Sequence, residues 1–250
     1  MLQTRSLRKL LATQVKLYLR EPIAVFFTLF MPVALLVMLG FIIGNEPVPE
    51  LGGRGHLDAN LPGYAALVIG IVGIAGVPIE TATRREAGIL RRFRATPLRP
   101  LTYIAGDVLA NFLMMVLGVV AVFLLGRFGF GVPFHGSLPS LALGVFLSAA
   151  AFLSVAYVLG SVLPTARVAT VVGNFLLFPM VVLSGAVVPQ QIMPETVQNV
   201  AKLVPLTHVV RLFGGLWSGH RLSEHLLEIF VLGGFLVVGV ALAARFFRWE

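Results

Sequence analysis

The chain is 250 residues long, 58% hydrophobic and only 12% charged, whereas a water-soluble domain carries charge on about a quarter of its residues. Its net charge of +8 comes from basic residues gathered at the edges of apolar runs, a placement that fits lipid headgroups and topology rather than a nucleic-acid surface. There is no cysteine, which excludes disulfides, thiolate metal sites and cysteine nucleophiles.

Residues 1–21 carry Leu7, Leu10, Leu11, Val15 and Tyr18 at near-helical spacing, with Arg5, Arg8, Lys9, Lys16 and Arg20 mostly on other faces. This pattern predicts a basic amphipathic helix lying in the membrane surface rather than a cleaved signal. Pro22 suits the first turn of the helix that follows. The run 23–43 is long enough to span, at about twenty residues, with a kink expected at Pro32. Residues 44–62, rich in Gly and Pro, read as a loop. The second span, 63–82, carries Gly70, Gly73 and Gly76, small residues that would let another helix approach.

Thr83 to Pro100, TRREAGILRRFRATPLRP, concentrates six of the nineteen Lys and Arg residues. Read as a helix, it gathers Ile89, Leu90 and Phe93 into an apolar knuckle with the arginines largely off that stripe, and Pro97 and Pro100 stop it. A loop that only had to stay wet would need no such knuckle.

Further spans are predicted at 101–125, 140–163, 168–188 and 226–244. Asp107 lies near one end of the third, where water or a neighbouring Arg can satisfy it. Stretch 190–219 is too polar and too broken by Pro194 and Pro205 to span, yet too apolar for a free loop, so short helices tucked into one leaflet are expected. Placing the N-terminus inside leaves fourteen of the nineteen Lys and Arg residues inside, which fits six spans with both termini cytoplasmic.

The three lysines, Lys9, Lys16 and Lys202, are each followed by Leu, so no phosphate-binding P-loop is present. Five histidines, His56, His135, His208, His220 and His225, fall in the predicted outside regions without the i, i+4 spacing of a helical zinc motif. They are expected to be solvated loop residues. No metal site and no catalytic residue are expected.

Several stretches resemble the membrane subunits, or permeases, of type-2 ATP-binding-cassette exporters. The coupling-loop pattern of that family falls on Glu86, Gly88, Ile89, Leu90, Arg91, Arg92, Ala95, Thr96 and Pro97. Leu183, Ser184, Gly185 and Pro189 resemble its Leu-Ser-Gly-to-Pro ending of the fifth span, and Pro205, His208, Arg211 and Trp217 fall in a similar run. The resemblance implies an all-α polytopic protein of the plasma (inner) membrane with an interface helix, a coupling helix and re-entrant helices before the last span. It also implies a second permease chain, a homodimer being expected, and two copies of a separate ATPase subunit that would hold the ATP and magnesium. The coupling contacts would come from Arg84, Arg85, Glu86, Gly88, Ile89, Leu90, Arg92, Phe93 and Pro97. Spans two and five would line the path, with Asn174, Phe178, Met180, Leu183, Ser184, Gly185 and Pro189 along it or at its outer gate. An amphipathic drug, lipid or glycan cargo fits the sparse polar lining. The alternatives are an ion-gradient-driven carrier, for which Asp107 or Glu80 would be essential, and a membrane assembly factor that moves nothing.

Overall fold

The computed structural model describes residues 12–16, 18, 20, 22–49, 53–88, 100–188, 190 and 193–246. Among these the regular structure is helical, apart from one isolated antiparallel bridge between Pro47 and Gly55. Eight helices are named here. They are α1 (residues 22–43), α2 (His56–Glu86), α3 (Pro100–Leu124, extended by a π turn at Leu125–Gly129), α4 (Leu138–Val162), α5 (Ala166–Ser184), α6 (Glu195–Ala201), α7 (Pro205–Trp217) and α8 (Leu226–Phe246). Five of them, α2, α3, α4, α5 and α8, are long and apolar enough to cross a membrane, and α1 holds a shorter apolar stretch, Thr28–Ile42.

Prolines shape the two N-terminal helices. Pro32 and Pro78 each follow a π-helical segment, Phe26–Phe30 and Ile71–Gly76. A proline has no amide to give the carbonyl four residues earlier, and its ring crowds that carbonyl, so the preceding turn widens. The two carbonyls concerned, Thr28 and Ile74, face glycines on neighbouring helices: a Cβ on Gly118 of α3 or Gly173 of α5 would sit 3.1 and 3.0 Å from them. Close helix contacts of this kind are possible because both positions lack a side chain. Of the three glycines singled out in the second span, Gly73 behaves as expected, with a Cβ there only 2.8 Å from Phe152 Cβ. Gly76 does not, since a Cβ there would meet only the carbonyl of Ile71 on its own helix.

The predicted loop 44–62 is shorter than its composition suggests, because α2 already begins at His56. The Asn45 side-chain oxygen accepts from the Asp58 amide at 3.2 Å, capping the new helix from outside it. Pro62 therefore lies inside α2. That helix is the post around which the others stand. In its most apolar stretch 78% is buried, against 11% for α5 and 17% for the α8 region. Helix α2 is thus enclosed within this chain rather than lining an open surface, whereas α5 and α8 present broad apolar faces outward.

Helix α7 runs beside one half of α2, with Leu206 against Gly70 midway along it and Gly214 near Pro62 toward its start. Leu206, Val209, Leu212, Phe213 and Leu216 are fully buried, an i, i+3, i+4 stripe that makes this short helix part of the core. Its last residue, Trp217, stacks on Phe123 of α3 with centroids 4.7 Å apart.

Candidate functional site

The end of α2 is where the conspicuous basic stretch begins, and the helix does not run through it. Gly88 takes φ +65, and the amides of Ala87 and Gly88 fold back onto the carbonyls of Thr83 and Arg85 at 3.0 Å each. A left-handed residue just past the last turn ends a helix, and glycine takes that conformation without a Cβ clash. Thr83 to Glu86 therefore belong to α2 and not to a separate coupling helix. Ile89, Leu90, Arg92, Phe93 and Pro97 lie outside the described residues.

Of the three charged residues before that break, Arg84 and Arg85 turn inward and are partly buried, while Glu86 stays exposed. Arg84 bridges Glu80, one turn back on its own helix, and Asp107 of α3, and it reaches the Gln14 side-chain oxygen at 3.3 Å. Asp107 is 7% exposed and also accepts from the Tyr157 hydroxyl of α4 at 2.7 Å. Asn111, one turn further along α3, donates to the Asp107 carbonyl at 3.1 Å and to the Tyr157 oxygen at 3.3 Å. The sequence expectation that a neighbouring Arg satisfies Asp107 describes this arrangement. Arg85 donates to the carbonyls of Gly160, Ser161 and Leu163, so one guanidinium caps the end of α4. Glu86 accepts from the Ala166 amide at 3.2 Å, which puts a carboxylate at the positive N-terminus of α5. Thr165 caps that same terminus, its side-chain oxygen accepting from Val168 at 3.2 Å.

Four helices thus meet on one charged corner: Arg84 ties α2 to α3, Tyr157 ties α3 to α4, Arg85 ties α2 to α4, and Glu86 ties α2 to α5. A displacement of the end of α2 therefore reaches all three neighbours, through part-buried charge-assisted bonds from Arg84 and Arg85 and an exposed one to Glu86. Tyr157 and Gln14 were not among the predicted site residues. They lie 73 and 70 positions from Arg84, and their chemical type alone does not announce a partner. The i, i+4 pair Asp107 and Asn111 was the available hint, since it sets two polar groups on one face of an apolar helix.

The path residues divide. Asn174 and Phe178 lie exposed on the outward face of α5 with Val171 and Phe175, whereas Met180 packs against the core. Ser184 is fully buried, and its hydroxyl donates to Val181 of its own helix at 3.1 Å. Gly185, at φ +84, ends α5, and the Gln190 amide donates to the carbonyls of Leu183 and Ser184 at 3.3 and 3.0 Å. The Leu-Ser-Gly stretch is therefore a helix cap turned into the protein. Pro189 lies outside the described residues. The histidines are not uniformly solvated either: His208 is 5% exposed, and its Nε2 lies 3.0 Å from the Lys202 carbonyl, closing the corner between α6 and α7. Its surroundings are buried because α7 itself is. Among the described residues no cluster of His, Asp and Glu is arranged to hold a metal ion.

Five apolar helices long enough to cross a membrane, four of them joined at a charged, internally braced corner at the end of α2, define a polytopic membrane domain. Residues 5–215 match the model of the family described as ABC-2 type transporter, and the chain belongs to that family. It is 27% identical over 176 residues to the inner membrane transport permease YhhJ of Escherichia coli (strain K12), an alignment that covers 67% of this chain and 47% of the relative. The probable multidrug ABC transporter permease YbhR of the same organism is 23% identical over 177 residues, covering 67% of this chain and 48% of that relative. The chain spans about half the length of the curated relatives it matches.

Proposed function

We propose that this chain is the membrane-spanning permease of an ATP-driven exporter, coupled to a separate ATPase subunit. The observation that carries the reading is the braced corner at the end of α2, read together with membership of the ABC-2 family. The basic segment after Gly88 emerges where Arg84, Arg85 and Glu86 hold α3, α4 and α5, so force applied to that segment reaches the spans. Ile89, Leu90 and Phe93 form the knuckle received by the ATPase, which binds ATP and magnesium. Arg84, Arg85 and Glu86 hold the base of the lever from within. The chain crosses the inner membrane six times with α1 as the first span, both termini cytoplasmic, and the N-terminal basic residues along the surface. Helices α6 and α7 form a re-entrant hairpin, since Leu206 starts α7 beside the midpoint of α2.

Two such chains and two ATPase subunits make the transporter. Exposed Asn174 lies next to Gly173, which faces Ala75 halfway along α2, and Lys202 is exposed at the α6–α7 corner. Polar groups at that depth are costly against lipid, so this face meets water or a second chain, and the path runs along α5. An amphipathic drug, lipid or glycan cargo suits its Phe175 and Phe178. The ion-gradient alternative is disfavoured by Asp107, whose carboxylate is engaged by a guanidinium and a phenol.

The test is a gentle-detergent pull-down of the tagged protein with identification of what accompanies it, repeated with Leu90→Asp. A stoichiometric P-loop ATPase lost in the variant, with vanadate-sensitive transport in inverted vesicles, is expected. A clean homo-oligomer without ATPase, or normal transport by Leu90→Asp, overturns the coupling assignment.

A further inference from the structure

At the opposite end of α2 from the braced corner, the starts of α2 and α8, the end of α7 and the turn after α5 line a half-open cavity of about 670 Å³. Arg54, Asp58, His135, Gln190, Arg211 and Glu228 bring charge and hydrogen-bonding groups to it, while Pro62, Pro133, Val210 and Trp217 supply apolar wall. No role in the proposed coupling falls on any of them.

The charges in the cavity are unevenly matched. Asp58 has Arg54 and His135 acting on it, and Glu228 lies beside His225, with Oε2 3.6 Å from Nδ1, an ion pair only when the imidazole is protonated. Among the described residues Arg211 has only a neutral partner: its Nε and Nη2 donate to the Gln190 amide oxygen at 3.2 and 3.0 Å. No described residue accepts from its Nη1. A half-buried guanidinium held by an amide keeps its full positive charge and has donors to spare, in the forked geometry that suits a planar or tetrahedral oxyanion. Gly214 and Gly215 of α7 line the cavity next to Arg211 without side chains of their own. A Cβ on Gly214 would meet nothing nearer than Pro62 at 3.8 Å, so the space beside the guanidinium is open.

We propose that this cavity binds a phosphate-class oxyanion at Arg211, with Trp217 and the prolines receiving an apolar body attached to it. The volume is much larger than an inorganic phosphate requires, so the favoured source is the phosphate headgroup of a lipid. Free phosphate shares the chemistry and is separated from it below. Gln190 also gives the site a connection: it holds Arg211 with its oxygen and caps α5 with its nitrogen. An oxyanion drawing on Arg211 therefore acts on the end of α5.

The chain has two tryptophans, so Trp249→Phe leaves Trp217 as the only indole and its fluorescence as the reporter. The full-length protein, purified in a non-ionic detergent, is titrated with dihexanoyl phosphatidic acid, dihexanoylglycerol and inorganic phosphate. Saturable change with the phosphatidic acid and none with the glycerol is expected, with affinity falling about tenfold or more in Arg211→Gln. Because that substitution also disturbs Gln190, Gly214→Leu serves as the second variant. It leaves Arg211 in place, fills the open space and is expected to abolish the response while the thermal melt is kept. Response to inorganic phosphate alone supports the oxyanion site and assigns it to the free ion. Equal response to phosphatidic acid and dihexanoylglycerol, no response to any probe, or binding unchanged in both variants overturns the proposal.

Discussion

Replacing Asp107 by alanine tests the braced corner most directly. The carboxylate is buried and accepts from two groups on two other helices, Arg84 of α2 and the Tyr157 hydroxyl of α4. Stripping one partner from a buried ion pair costs about 3–5 kcal/mol when the other charge is left alone. Here Arg84 keeps Glu80 and Gln14, which lowers that term, while the Tyr157 hydroxyl loses its acceptor in a buried site, worth about 1–3 kcal/mol. A net loss of about 3 kcal/mol follows, and at about 2–4 °C per kcal/mol for a chain of this size the melting temperature falls by about 6–12 °C. Thermal unfolding in mild detergent measures it. Asp107→Asn keeps an acceptor for Tyr157 and is expected to lose about half as much. In a double-mutant cycle Asp107→Ala and Tyr157→Phe should be non-additive by about 1 kcal/mol or more. A melting point for Asp107→Ala within about 2 °C of the parent, or a fully additive cycle, refutes the reasoning.

Arg85→Ala removes the guanidinium that satisfies Gly160, Ser161 and Leu163, at a cost of about 1.5–3 kcal/mol. Hydrogen exchange over residues 163–168 should rise well above the parent's, while Glu86→Gln, which keeps an acceptor for Ala166, should change it little. Gly63→Ala sets a Cβ 2.5 Å from the Ala186 carbonyl oxygen. That backbone atom cannot swing aside as a side-chain tip can, so the melt should show about 1–3 kcal/mol of destabilisation, against almost none for Gly214→Ala.

The order and approximate placement of the long helices were legible because a bilayer demands uninterrupted apolar runs, and this chain supplies them between basic edges. The cap stands in the sequence as Gly88 within a basic run, but the spacing of Ile89, Leu90 and Phe93 predicts a helix beginning at Thr83, where the structure has α2 ending at Glu86. The start of α2 was hidden by the glycines and prolines of 44–62, whose composition reads as loop until Asn45 is seen capping Asp58. The resemblance to the permease family singles out Ser184 and Gly185 as a distinctive ending, while only the packed chain turns that ending inward onto Gln190.

The sequence alone determined that this is a helical membrane protein, where its basic connection falls, and that Asp107 stands near the end of an apolar helix where water or an Arg can satisfy it, because periodicity and charge are properties of short stretches. The tertiary structure decided which partners meet: Arg84 with Asp107, Asp107 with Tyr157, Arg85 with the end of α4, and Arg211 with Gln190 beside a cavity. Those pairings join residues 21 to 78 positions apart. Only the packing of α2 among its neighbours, with glycines where backbones approach, brings such distant side chains within hydrogen-bond reach.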